Sequence, residues 1–118
     1  MKILVVDDEQ FIQESLGQFF KSKGEEVQTA NDIKSALSQI EAFCPQLILL
    51  DVKLGEESGL DVIQYAKERH NEIRVILVTG FSDAAMQEKA KTLGADAIFF
   101  KPVIFSKLSN LIQEVMSR

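Results

Sequence analysis

The sequence has few of the residues that mark special environments. It holds one cysteine, one histidine and two prolines among 118 residues. The lone Cys44 has no internal disulfide partner and no metal-ligand spacing around it, which points to a reduced, cytoplasmic setting. It precedes Pro45 and is expected to be partly buried packing. His70 also lacks a ligand companion, and beside Arg69 and Asn71 it reads as a helix end, where the dipole favours it. Basic residues are outnumbered, 13 Lys+Arg against 18 Asp+Glu, for a formal net charge of −5. A chain without a positive field does not capture phosphate backbones, so no direct nucleic-acid binding is expected. Long apolar runs are missing as well. The opening MKILVVDDEQ stops at two acids, too short for a signal-peptide core or a membrane span. No Gly/Ser/Pro-rich tract, repeat or low-complexity segment divides the chain. Residues 1–118 are therefore expected to form one domain, long enough to bury a core without disulfides or a structural metal.

What is present is an alternation of two kinds of segment. The first kind is short, apolar and β-branched: KILVV at 2–6, EVQTA at 26–30, LILL at 47–50, RVILV at 74–78 and AIFF at 97–100. Such runs read as strands of a buried parallel sheet, with the more polar second run at an edge. The second kind has helical period. Ile12, Leu16, Phe19 and Phe20 form one stripe over roughly 9–23, and Phe11 stands beside it as a candidate for a partner-helix groove. Ile33, Ala36, Leu37 and Ile40 form another, with Asn31 or Asp32 as N-cap and Pro45 past its end. Leu60 and Ile63 open a third helix. Met86, Ala90 and Leu93 mark a fourth, closed by Gly94. Leu108, Leu111, Ile112 and Val115 mark a fifth, with Ser106 as its cap.

The pattern is βα repeated five times, an α/β doubly wound parallel five-stranded sheet with helices on both faces. Such sheets bind ligands beyond the carboxyl ends of their strands, where the strand order reverses. For the flavodoxin-like (βα)5 order 2-1-3-4-5 that point lies between the first and third strands. The first strand runs into Asp7 and Asp8, the third into Asp51, the fourth into Thr79, and the fifth into Lys101 followed by Pro102. Three carboxylates, a hydroxyl and an ammonium thus fall on one sheet edge. Clustered carboxylates repel, and a hard divalent cation relieves them. Mg²⁺ typically takes one or two carboxylates plus phosphate oxygens. Lys101 supplies a point charge for a phosphoryl oxygen and Thr79 a short donor. Asp51 stands alone at its strand end and is the candidate nucleophile, leaving Asp7 and Asp8 for the metal. Each residue has an ordinary alternative, as helix cap, turn former or solvated strand end. Together they occupy four of five strand ends on the ligand-binding edge, and chance placement explains that poorly.

The chain resembles the receiver domain of two-component response regulators along its whole length. ILVVDDE is similar to the acidic-pair motif of that family, and LILLDVKLGEESGLDVI to its phosphoacceptor segment, with Gly59 eight residues after Asp51. VILVTG is similar to the strand bearing the switch hydroxyl, and GADAIFFKP to the Lys-Pro segment. The resemblance implies Asp51 as the phosphorylated residue, and Asp7, Asp8, Asp51 and the backbone carbonyl of Lys53 as ligands of Mg²⁺ (or Mn²⁺). It implies Thr79 and Lys101 as phosphoryl-sensing residues and a cis peptide before Pro102. Three positions depart from the family pattern. Ile98 stands where Tyr or Phe is usual, Gly55 where Pro is usual, and Val103 where Phe is common. Core packing is expected for both Phe99 and Phe100, and Gly55 is expected to loosen its loop.

The expected function is a signalling switch that takes a phosphoryl group from a sensor histidine kinase or a histidine phosphotransfer protein. It then changes its affinity for a downstream target protein or an effector domain. It is not an enzyme on outside substrates and catalyses only its own phosphorylation and dephosphorylation. Movement of Thr79 would pull the loop carrying Gly80 and Phe81. Gln10 and Lys53 are expected to tune the phosphate lifetime, with Gly80 and Phe81 also flanking the site. The residues after Pro102 suffice for one helix and no effector domain. That leaves a stand-alone receiver or the receiver of a larger protein, and the start at Met1 favours the former. A phosphatase with an aspartate nucleophile needs an acid where Lys53 stands. A flavin phosphate would be repelled by Asp7, Asp8 and Glu9. A receiver that only docks partners would not need the full site.

Overall fold

The protein is described by a computed structural model over residues 1–80 and 83–118. The elements run β1 (Lys2–Val6), α1 (Gln10–Ser22), β2 (Glu26–Ala30), α2 (Ile33–Phe43) and β3 (Leu47–Leu50). They continue with β4 (Lys53–Leu54), β5 (Glu57–Ser58), α3 (Leu60–Arg69), β6 (Arg74–Thr79), α4 (Ala84–Leu93), β7 (Ala97–Phe100) and α5 (Phe105–Met116). Five strands form one parallel sheet in the order β2-β1-β3-β6-β7. Counting only these five, the order is 2-1-3-4-5, as the alternation of segments implied.

The strands are apolar on both faces because both are covered. Ile3 and Val5 of β1 pack with Leu16 and Phe20 of α1 and with Leu108 and Ile112 of α5. Leu4 and Val6 point the other way, into a cluster with Ala36 and Ile40 of α2, Ile63 of α3 and Ala90 of α4. Side chains alternate across a strand, so a run such as LILL feeds two cores at once. Each fully buried Leu or Ile contributes about 1.5–3 kcal/mol. The partly polar β2 lies at the sheet edge, as expected.

Local signals end most helices where the sequence puts them. Asp32, not Asn31, caps α2: its side chain accepts from the Ser35 N–H at 2.8 Å, and Ser35 completes a reciprocal capping box. Gly94 closes α4 at φ 109°, a left-handed conformation suited to glycine. Three expectations are corrected. Cys44 is exposed and holds the left-handed C-cap of α2 at φ 54°, so it is not partly buried packing. Ser106 lies inside α5, which starts at Phe105 after Ile104 and has no side-chain cap bond. Phe99 packs into the α1–α5 core, but Phe100 is 45% exposed. The segment holding Gly55 forms a short antiparallel β4–β5 hairpin, with Gly55 at φ 62° in its turn. The hairpin is invisible to periodicity because its strands are two residues each.

Candidate functional site

Backbone ladders carry the strand ends into one cluster. Val6 pairs with Leu50, and the next rung is Asp51 N–H donating to Val6 C=O at 2.8 Å. On the other side, Asp7 N–H donates to Ala30 C=O at 3.0 Å. Thr79 pairs with Phe100, and Lys101 N–H continues that ladder to Thr79 C=O at 2.9 Å. Asp7 and Asp51 are therefore set side by side by sheet register. Lys101 enters from the far strand, and its long side chain crosses the strand ends to reach them.

Lys101 Nζ lies 2.9 Å from Asp7 Oδ2 and 2.9 Å from Asp51 Oδ2. Its third contact is Glu9 Oε1 at 3.1 Å. The second oxygens of the two buried acids are also occupied. Asp7 Oδ1 accepts from the Glu9 N–H at 2.9 Å, and Asp51 Oδ1 from the Lys53 N–H at 3.2 Å. Exposed Asp8 accepts from the Gly55 N–H at 2.9 Å, tying the β4–β5 hairpin to the end of β1. Thr79 is buried at the end of β6. The Lys101–Pro102 peptide is cis, as the resemblance implied.

Burial pushes the Asp7 carboxyl above its ordinary value. The Glu9 N–H and the Lys101 ammonium offset this only in part, and neighbouring Asp51 adds to it. Burial alone would lower the Lys101 ammonium. Its hydrogen bonds to Asp51 and Asp7 and their charges overcome that, and hold it above the usual lysine range.

Oxygen atoms of Asp7, Asp8, Glu9 and Asp51 lie within 4.8 Å of one another. An all-oxygen, anionic donor set with two buried members suits a hard divalent cation, and a single ammonium does not neutralise four acids. The residues present therefore fit such an ion. They hold no Cys or His that would favour a softer metal.

The structure brings together Asp7, Asp8, Asp51 and Lys101, and places Thr79 and Lys53 beside them. Gln10 Nε2 donates to Glu14 Oε1 at 2.9 Å. Gly80 is exposed, and Phe81 lies outside the described residues. Three participants were not legible as such. Glu9 belongs to the cluster, and its only signal was its place after the acidic pair. Gln13 Nε2 donates to Asp7 C=O at 2.6 Å and Ala30 C=O at 3.2 Å, clamping the ends of β1 and β2. A glutamine in an otherwise amphipathic helix gives no hint of that. Gly59 proves to be steric: a Cβ there would sit 2.5 Å from the Asp51 carbonyl oxygen and 3.1 Å from Val52 Cα.

A doubly wound parallel sheet with acids at its switch point and a lysine opposite defines a flavodoxin-like α/β protein. The response regulator receiver domain family matches residues 3–113. Sporulation initiation phosphotransferase F of Bacillus subtilis (strain 168) is 31% identical over 98% of this chain and 93% of its own length. Acid tolerance regulatory protein ActR of Sinorhizobium medicae is 30% identical over 85% of this chain, which spans only 52% of that longer protein. Among solved structures, a CheY-like response regulator receiver domain protein from Methanospirillum hungatei JF-1 superposes with a TM-score of 0.92 at 32% identity, covering 96% of this chain and 90% of that one. A response regulator from Burkholderia pseudomallei with a phosphorylated aspartic acid and a calcium ion superposes at 0.86 with 26% identity, covering 96% and 71%. This chain belongs to the response regulator receiver domain family of two-component systems. Phosphorylation on an aspartate and binding of a divalent cation are typical of that family. Among the described residues, no helix is long and apolar enough to cross a membrane.

Proposed function

We propose that Asp51 is the phosphoacceptor of this receiver. The reading rests above all on Lys101, whose Nζ sits 2.9 Å from both Asp51 Oδ2 and Asp7 Oδ2 and joins the nucleophile to the acidic pair. Asp7, Asp8, Asp51 and the backbone carbonyl of Lys53 would hold Mg²⁺ (or Mn²⁺). Bound there, the ion supplies charge neutralisation for an incoming phosphoryl group.

The donor is a phosphohistidine on a sensor kinase or a phosphotransfer protein. An Asp51 carboxylate oxygen forms the new O–P bond as the P–N bond breaks, and the electron pair leaves with the imidazole. Lys101 stabilises the phosphoryl oxygens, and most of the catalysis is positioning and electrostatics. The chain acts on its own side chain and is not an enzyme on outside substrates. Thr79, buried beside the site, moves toward the new acceptor oxygens and shifts an inactive–active equilibrium. The surface of α4, β7 and α5, where Phe100 is already exposed, then exchanges partners, a downstream protein or an effector domain. An intracellular, cytoplasmic setting follows from such partners.

The test is intact mass after incubation with phosphoramidate and Mg²⁺. One phosphoryl adduct is expected, absent in Asp51→Asn and without divalent cation. A wild-type chain that binds Mg²⁺ but stays unmodified refutes the assignment and leaves a docking module.

A further inference from the structure

An ammonium has three N–H donors. In this structure Lys101 uses all three on carboxylates, those of Asp7, Asp51 and Glu9. As a phosphoryl group approaches the Asp51 carboxylate, Lys101 can contact one of its oxygens only if one partner is given up. The three partners are not equal. The Asp7 and Asp51 side chains are 3% and 8% exposed, whereas that of Glu9 is 60% exposed and its contact is the longest, at 3.1 Å. Release of Glu9 costs least, because water replaces the lost contact on its side.

Glu9 is also fixed for this task. Its N–H is held by Asp7 Oδ1, and its carbonyl accepts from the Ile12 and Gln13 N–H groups in the first turn of α1. As the N-cap of α1 it makes no side-chain cap bond, so its carboxylate is not committed to the helix. Backbone pinned on both sides and a side chain without a helical duty leave Lys101 as its partner.

Building on the assignment of Asp51, we infer that Glu9 is a latch on Lys101 that restrains phosphorylation: it holds the third donor in the resting state and yields it to the phosphoryl group. Its charge also lies within 4.8 Å of the other acids, where it opposes an incoming anion. Truncation at Glu9 removes both effects and speeds phosphoryl transfer.

The experiment measures the rate of phosphorylation by phosphoramidate at a Mg²⁺ concentration that saturates each variant, followed by intact mass, for wild type, Glu9→Ala, Glu9→Asp and Glu14→Ala. Here Asp51 oxygen forms a bond to phosphorus as the P–N bond breaks and nitrogen leaves as ammonia. Glu9→Ala is expected to react about threefold to tenfold faster, the size of one solvent-exposed charge contact. Glu9→Asp keeps the charge but is one methylene short of Nζ, so it is expected to be faster than wild type. Glu14→Ala removes an equal charge five residues farther along the chain, in α1, and is expected to match wild type. In metal-free buffer, the Lys101 ammonium protons are expected to exchange faster with solvent in Glu9→Ala than in wild type. Equal rates for wild type and Glu9→Ala overturn the latch while leaving Asp51 as acceptor. Glu9→Asp behaving as wild type overturns the contact in favour of bare charge. A wild-type chain that takes no phosphoryl group overturns the site assignment itself.

Discussion

Replacing Lys101 by methionine keeps most of the side-chain volume and removes the charge that stands between two buried acids. Asp7 and Asp51 then face each other with oxygens within 4.8 Å. At an effective dielectric near 20 their repulsion is about 3 kcal/mol, which agrees with the ~3–5 kcal/mol lost when a buried ion pair loses one member. A domain with ~5–15 kcal/mol of stability survives this. The pH dependence carries the sharper information. The folded-state value of Lys101 is already raised, so its stabilising contribution is complete below the ordinary lysine range and constant from pH 5 to 8 in the wild type. In Lys101→Met the Asp7 carboxyl, already pushed up by burial, rises further. The folded variant then holds a proton more tightly than its unfolded chain, so its stability recovers as pH falls. Urea unfolding followed by far-UV circular dichroism, in chelator, from pH 8 to pH 5, reads this directly. The deficit is expected to be about 3 kcal/mol at the alkaline end and to shrink by up to ~1.4 kcal/mol per pH unit on acidification. Addition of Mg²⁺ is expected to narrow it. A deficit under ~1 kcal/mol, or one that does not vary with pH, would show that Lys101 does not hold these two acids together.

Other consequences follow from single residues. Asp7→Asn retains an acceptor for the Glu9 N–H but removes a carboxylate whose ionised form burial disfavours. In chelator it is expected to melt higher than wild type at neutral pH, with the gain vanishing as pH falls through the raised Asp7 value, and to lose Mg²⁺ affinity by titration calorimetry. Gly59→Ala must push the start of α3 away from the Asp51 carbonyl. A loss of about 1–3 kcal/mol in urea and slower phosphorylation are expected, and an unchanged midpoint would mean the helix gives way freely. Ile76→Ala, at a fully buried position of β6, is expected to cost about 2–5 kcal/mol in the same assay. Gln13→Ala removes the clamp between the ends of β1 and β2. Weaker Mg²⁺ binding with little change in urea midpoint is expected, and unchanged metal affinity would reduce the clamp to a structural bond.

Much of the site was legible because it is written in local order. A parallel sheet turns sequence position into place: a residue that follows an apolar strand stands on the ligand-binding edge. Asp7, Asp8, Asp51, Thr79 and Lys101 needed no more than that. The interior of each strand was legible for a related reason, since burial on both faces leaves an unbroken apolar run. The misread residues are those whose role depends on more than their own segment. Cys44 has the composition of a packing residue, yet α2 needs a residue in the left-handed region where it stands. Phe100 has the composition of a core residue, but it lies at the end of the edge strand β7, on the face it shares with Ile98 and opposite Phe99, and stays exposed there.

From the order of its residues alone, this protein was committed to five βα units and to a ring of acids, a hydroxyl and a lysine at one sheet edge, because hydrophobic period and strand direction are properties of single segments. The partners of each site atom were decided only by the tertiary structure. The register of Val6 against Leu50 sets Asp7 beside Asp51, the reach of Lys101 across the sheet makes it their common partner, and the pinned turn at Glu9 brings in a fourth carboxylate. Sequence spacing is blind to such contacts, because a salt bridge between residues 9 and 101 forms only after every strand between them has paired.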